Sequence, residues 1–463
     1  KWYFNYIKEK GLRPGIWINP YGANHPNPSM AKKYPEEFFL KDSAGNYSEA
    51  CCVGADTTMV RLDITNPEVI EKHLKPLFDK LVDDWGLAYI KDGGWGSWMD
   101  YYEKNRENAY NPNMDSRKAI NNMQAVIREE MGEENYINGC NMHEIGISFG
   151  LYDGSRTHKD NSATWKGENH WLWGMQSYFK SLFGANYLNG ICWWNDPDNV
   201  MIRAPLTMNE AKTIVNSVSL TGQTYIIGDF IAEFSKERLN DFIRTNRQKD
   251  WNFPDLTRAL PDEKLELYRK TMPAMPIKAM DLYPFKCEPT IFPEPKEYPR
   301  ALDLKINSKS GRYDVVALYN WDEKKAVKTL SFHEDLGLER DGKYLVFDYW
   351  NQKLLGTSSA MIQEEIPAHG TKALIIRKKS ENPQLVATSR HLTAAYSIQE
   401  MKWNGEKKIL RGTSKTVPGH QYTLYIHVPE DFEFNKIRVE AENVTHKINS
   451  EGILEVRFNG KEE

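Results

Sequence analysis

The chain has 463 residues, more than one hydrophobic core usually holds, so a large domain with one or two smaller ones is expected. A formal net charge of -4, with 40% apolar and 27% charged residues, belongs to an ordinary globular protein. It offers no basic footprint for nucleic acid and no polybasic stripe for a membrane surface, and no apolar run is long enough to span a bilayer.

The first residues, KWYFNYIKEKG, read as an amphipathic helix with a glycine stop rather than a signal peptide. From Arg13 to Asp229 short apolar strands alternate with helical patterns, which predicts a parallel sheet of βαβ units. The strand candidates are RPGIWI, LAYIKD, INGCN, FGLYDG, GICWWND and TYIIGD. Asn66 and Pro67 open a clear helix whose apolar residues recur from Ile70 to Trp85, with Gly86 as its stop. Thr207 and Glu210 have the spacing of a capping box at the head of another helix.

Prolines crowd between Pro284 and Pro299, which predicts a linker. Beyond it RYDVVALYNW, KYLVFDYW and TKALIIRK read as an antiparallel β-sandwich, and YTLYIHV and KIRVEAE as strands of a second β segment. The expected division is a (β/α)₈-type domain over 1–283, a linker over 284–300, a β-sandwich over 301–380 and a second β domain over 381–463.

In a barrel, chemistry sits at the C-terminal ends of the strands. The acids expected there are Asp92, Asp153, Asp160, Asp196 and Asp198. Two converging carboxylates are what a retaining glycosidase needs, one as nucleophile and one as acid and base, and a nearby Lys or Arg would keep the nucleophile ionised. The aromatic content of 12% suits sugars as well as cores. Cys51, Cys52, Cys140, Cys192 and Cys287 form neither a disulfide framework nor a regular zinc pattern. Cys140, His143, Glu144 and His158 are spaced too irregularly for zinc, so no metal and no organic cofactor is expected.

Several stretches then resemble one clan of enzymes. LDITNPEVIEKHLKPLFDKLVDDWGLAYIKDGG is similar to the fourth-strand region of glycoside hydrolase family 36. RTHKDNSATW resembles the arginine, acid and tryptophan run of the family 27 α-galactosidases, and WWNDPDNVMI the seventh-strand motif of the same clan. RPGIWINP looks like its third strand, and LYNWDEKKAV through AHGTKALIIRK like its C-terminal sandwich. The resemblance implies a (β/α)₈ barrel whose first two strands come from a separate N-terminal segment. It also implies a retaining exo-hydrolase that removes terminal α-galactosyl groups from an oligosaccharide or polysaccharide. By that resemblance Asp92 is the nucleophile and Asp160 the acid and base, while Trp17, Lys91, Arg156 and Asp198 bind substrate. Analogy suggests a periplasmic or secreted protein, with oligomerisation open. N-acetylgalactosamine or β-L-arabinopyranose as the glycone, and a catalytically silent carbohydrate-binding protein, stand as alternatives.

One departure matters. The clan has one residue between the lysine and the nucleophile, whereas Lys91 and Asp92 are adjacent. Either a bulge turns both inward or Lys91 points elsewhere.

Overall fold

Five short strands, each ending in polar or small residues, form one parallel sheet: β1 (Gly15–Ile18), β2 (Tyr89–Asp92), β3 (Tyr136–Gly139), β4 (Gly154–Arg156) and β5 (Trp194–Asp196), side by side in that order. The computed structural model describes residues 1–463 apart from 26–33, 48, 51–57, 141–145, 158–159, 167–173, 232–259, 276–279, 282–297 and 462–463. Helices Trp95–Asn105 and Ser116–Met131 follow β2, and helices Met175–Gly184 and Met208–Thr221 flank β5 along the chain. The expected TYIIGD strand is present in shortened form as Ile226–Ile227, which pairs in parallel with Asn199–Val200 apart from the five-stranded sheet. No helix among the described residues is long and apolar enough to cross a membrane.

Two helix starts follow the sequence signals. The Asn66 side chain accepts from the backbone of Glu68 at 3.0 Å, and Gly86, at φ 68°, lets the chain turn away at the far end. Thr207 and Glu210 make the reciprocal capping box ahead of Met208–Thr221.

The FGLYDG prediction needs correction. That stretch is turn, and β4 begins only at Gly154. Gly146 and Gly150 adopt positive φ and break the extended run. Asp153 consequently stands ahead of β4 instead of at a strand's C-terminal end. Its carboxylate takes the Ile137 amide at 2.7 Å and the Arg128 guanidinium at 2.5 Å, a structural anchor between β3 and the helix before it.

The sandwich has a sheet of Met280–Asp281, Ala301–Ser308, Gly311–Tyr319, Thr371–Lys378, Tyr344–Asp348 and Lys353–Ser358, with Ala326–Ser331 paired to Met361–Ile366 as a second layer. Its central strand is buried on both faces. Val316 and Leu318 meet Leu330, Phe332 and Ile366 of the second layer. Val315, Ala317 and Tyr319 share a core with Phe179, Ile214 and Val218 of the preceding helices. This is why RYDVVALYNW is almost continuously apolar.

Gln384–Thr388, Gln421–His427, Ile453–Asn459 and Glu442–Ile448 form the last sheet, with a hairpin of Ile398–Asn404 and Ile409–Ser414. The same core continues into it through Val386, Ala387, Leu392, Tyr425 and Ile453. The Tyr425 ring lies 4.8 Å from that of Phe347, and its hydroxyl donates to Gln352 at 2.6 Å. Most of the proline-rich 284–300 segment lies outside the described residues; at its end Pro299 accepts from the Trp321 indole at 2.7 Å.

A shared core predicts shared unfolding. Phe347→Ala removes a ring that is 1% exposed at this junction, and should cost about 3–5 kcal/mol while leaving one cooperative transition in denaturant titration. An early separate transition of the last sheet, with the rest unaffected, is the contrary result.

Candidate active site

Parallel pairing without a register shift places Trp17, Lys91, Asn138, Gly154 and Trp194 in one row across the sheet, and Ile18, Asp92, Gly139, Ser155 and Asn195 in the next. Adjacent rows face opposite sides. Arg156 and Asp196, one position further along, return to the Lys91 side.

On that side the side chains converge around Asp196, which has no exposed surface. Its Oδ2 accepts from Lys91 Nζ at 2.8 Å and Asn138 Nδ2 at 2.7 Å, and its Oδ1 from the Asp198 amide at 2.8 Å. Burial pushes the Asp196 carboxyl up, but Lys91, Asn138 and the Arg156 guanidinium outweigh it and hold the group below the usual carboxylate range. For Lys91, burial acts against the charged form and Asp196 more than restores it, so the ammonium titrates above its ordinary value.

Arg156, 5% exposed, organises the neighbouring acids. Its Nη2 reaches Asp198 Oδ2 at 2.9 Å and Asp160 Oδ1 at 2.7 Å, and its Nη1 donates to Cys140 Sγ at 3.5 Å. Both carboxylates thus share one guanidinium nitrogen. Asp198 is buried in a left-handed turn at φ 78°, also takes the Asn161 amide at 2.9 Å, and is pushed above the usual range by burial, against the pull of Arg156. The Asp160 side chain is 71% exposed, so its second oxygen is open to an incoming group. Trp17 and Trp194, 47% and 40% exposed, stand at the two ends of the Lys91 row.

Asp92 does not join them. No bulge turns it inward, and Lys91 keeps the inward direction. The Asp92 carboxylate is fully buried on the opposite side, where Oδ2 accepts from the hydroxyls of Tyr21, at 3.2 Å, and Tyr152, and Oδ1 has no partner among the described residues. Burial pushes it up to about 7, against the two phenols. Of the two outcomes expected from the adjacency, neither a bulge nor an outward Lys91 is found: strand alternation turns Asp92 away instead. The next position on the inward side is Gly93, where an added Cβ would stand 2.8 Å from Trp17 Nε1; the indole already fills that place.

Asp92 and Asp160 are thus not brought together, whereas Lys91, Arg156, Asp160 and Asp198 are. Asn138 and Trp194 were not singled out from the sequence, and Asp196 was noted only as a strand-end acid. NDPD carried the signal for Asp196; INGCN gave no chemical signal for Asn138. His143, Glu144 and His158 lie outside the described residues. Among the described residues no cluster of His, Cys, Asp and Glu could hold a metal. Trp165 of the RTHKDNSATW run lies in the core, stacked 4.5 Å from the His369 ring of the sandwich. That imidazole in turn contacts Glu210 at 2.9 Å.

Comparison with known proteins adds the fold family. Residues 306–376 match the model of the α-galactosidase C-terminal β-sandwich domain. A GH27 β-L-arabinopyranosidase from Geobacillus stearothermophilus has TM-score 0.52 at 15% identity, over 82% of this chain and 78% of that one. This is the fold of the α-galactosidase clan. An Arthrobacter globiformis isomalto-dextranase, solved with panose, has TM-score 0.50 at 16% identity over 100% and 77% of the two chains. α-Galactosidase I of Mortierella vinacea has TM-score 0.49 at 13% identity over 81% and 80%. No curated protein sequence matches the chain. The clan fold is a (β/α)₈ barrel with a C-terminal sandwich, and the parallel sheet found here is its barrel part.

The position of Asp92 has a pH signature. A carboxyl raised to about 7 when folded, and near 3.9 when unfolded, binds more protons in the native state between those values, so its contribution to stability is present below about pH 4 and lost as pH rises to about 7. Asp92→Asn should flatten this, gaining on the order of 3–4 kcal/mol relative to the parent between pH 4 and 8. Parallel denaturation curves for the two proteins at all pH values would contradict the burial of Asp92.

Proposed function

We propose that the chain is a glycoside hydrolase acting on a terminal galactose-type ring, with the cluster around Asp196 and Arg156 as its sugar site. The observation that carries this is the convergence of Lys91, Asn138, Arg156, Asp160, Asp196 and Asp198 at one face and one end of the parallel sheet, where barrel chemistry is placed. The clan fold and the matched sandwich support the same reading.

Asp160 is assigned as general acid and base: it is accessible, and Arg156 orients one oxygen while the other faces outward. Lys91, Arg156 and Asp198 are assigned to sugar hydroxyls, and Trp17 to an apolar ring face. The nucleophile is assigned to Asp196 in preference to Asp92, because it is ionised and lies on the sugar side. Lys91 covers it, with 15% of its side chain exposed; hydroxyls that draw the ammonium away would uncover Oδ2. In the double displacement Asp196 attacks the anomeric carbon as Asp160 protonates the leaving oxygen. Asp160 then takes a proton from the water that releases the sugar.

Two observations favour a second reading, a carbohydrate-binding protein without turnover. Gly93 stands two positions after Lys91, where the clan has its nucleophile, and Asp196 is saturated by three donors.

The deciding experiment is release of aryl α-galactoside, α-N-acetylgalactosaminide, β-L-arabinopyranoside and α-glucoside. On the released glycone, Asp160→Asn and Asp196→Asn should each cut kcat by about 10²–10⁴-fold, with Asp92→Asn close to the parent. Loss of turnover in Asp92→Asn alone would return the nucleophile's part to that residue. Absence of release from all four glycosides, together with galactose binding that Arg156→Ala abolishes, would establish the second reading.

A further inference from the structure

A cleft of about 1400 Å³, sharing no lining residue with the Asp196 cluster, is walled by helix Asp262–Thr271, the end of strand Ala301–Ser308 with Lys309 after it, and the last β unit. That is larger than the about 300–1,000 Å³ that encloses a drug-sized ligand, and suits an oligomer. Its walls carry six Lys and Arg side chains and one acid, Glu266. Glu266 is taken by Arg269 at 2.6 Å, and Arg457 is taken by Glu455 at 3.1 Å. Lys270, Lys309, Arg390 and Lys415 have no carboxylate partner among the described residues; Arg390 donates to the Lys415 carbonyl at 2.8 Å. His391 adds no charge, since burial holds its ring down to about 4, and it fixes the wall by contacts to Thr393 and the Pro273 carbonyl.

In a chain whose formal net charge is -4, four uncompensated cations around one concave surface are a local exception. Tyr396, 46% exposed, offers an aromatic face beside them. Asn307, Gln399 and Gln421 supply amides able to bond hydroxyls from either sense. Cations, an exposed tyrosine ring and neutral amides in an open cleft match a chain of sugar rings bearing acidic groups better than an apolar ligand or a bare phosphate.

We propose that this cleft is an accessory site for an anionic oligosaccharide, carrying carboxylate or sulfate groups, held by Lys270, Lys309, Arg390 and Lys415 with Tyr396 as a stacking platform. The site shares no lining residue with those assigned to hydrolysis, so it is measurable whether or not the chain turns over glycosides.

The test is calorimetric titration of the full chain with polygalacturonate oligomers, chondroitin sulfate oligomers and neutral β-1,4-galactan oligomers at low and high sodium chloride. Binding of either acidic oligomer, weakening with salt and absent for the neutral one, supports the site and names its anion. Lys309→Ser with Lys415→Ser, both exposed and free of side-chain partners among the described residues, should weaken that binding by about tenfold, while Asp160→Asn leaves it unchanged. Equal binding of the neutral oligomer, no binding of either acidic one, unaltered affinity in the double variant, or equally tight binding of a double-stranded DNA 20-mer would each overturn the proposal.

Discussion

The buried charge of Asp196 governs the candidate site. A carboxylate with no exposed surface is tolerable only when donors surround it, and here they come from β2, β3 and the backbone of its own turn. Meeting that demand fixes the inward direction of Lys91, the turn that presents Asp198 to Arg156, and through Arg156 the place of Asp160. Removing Lys91 or Asn138 would strand a charge as well as lose a contact, so the cluster behaves as one electrostatic unit.

The parity of β2 follows from the same constraint. Once Lys91 faces Asp196, its neighbour is committed to the other side, because side chains alternate along an unbulged strand. Asp92 is left among Tyr21, Tyr152 and the helix-side core, in a setting that favours its neutral form. Two adjacent ionisable residues thus experience opposite environments, one stabilised as a charge and the other pressed towards neutrality.

Much of the fold was legible in the sequence. Apolar runs bounded by turn residues marked four of the five sheet strands, and capping chemistry marked the helices at Asn66 and Thr207. FGLYDG misled because turn glycines outweighed its apolar residues. The cations and acids of RTHKD and NDPD were legible as a group, since residue type alone announces them. The face taken by Asp92 was not, because parity depends on register across three strands and a single residue reverses it. Asn138 was silent for a related reason: an amide becomes part of a site only through the charge it meets.

Trp165 gives the sandwich a part in the chemistry assigned to Asp160. The acid and the tryptophan lie on one short stretch, and the tryptophan is clamped by ring stacking to His369, which Glu210 holds in turn. The loop bearing the acid is therefore tethered at its far end to a different layer of the molecule. The sandwich serves as a buttress for the rim of the candidate site, and the position of the residue assigned as proton donor is set partly by His369, more than two hundred places along the chain.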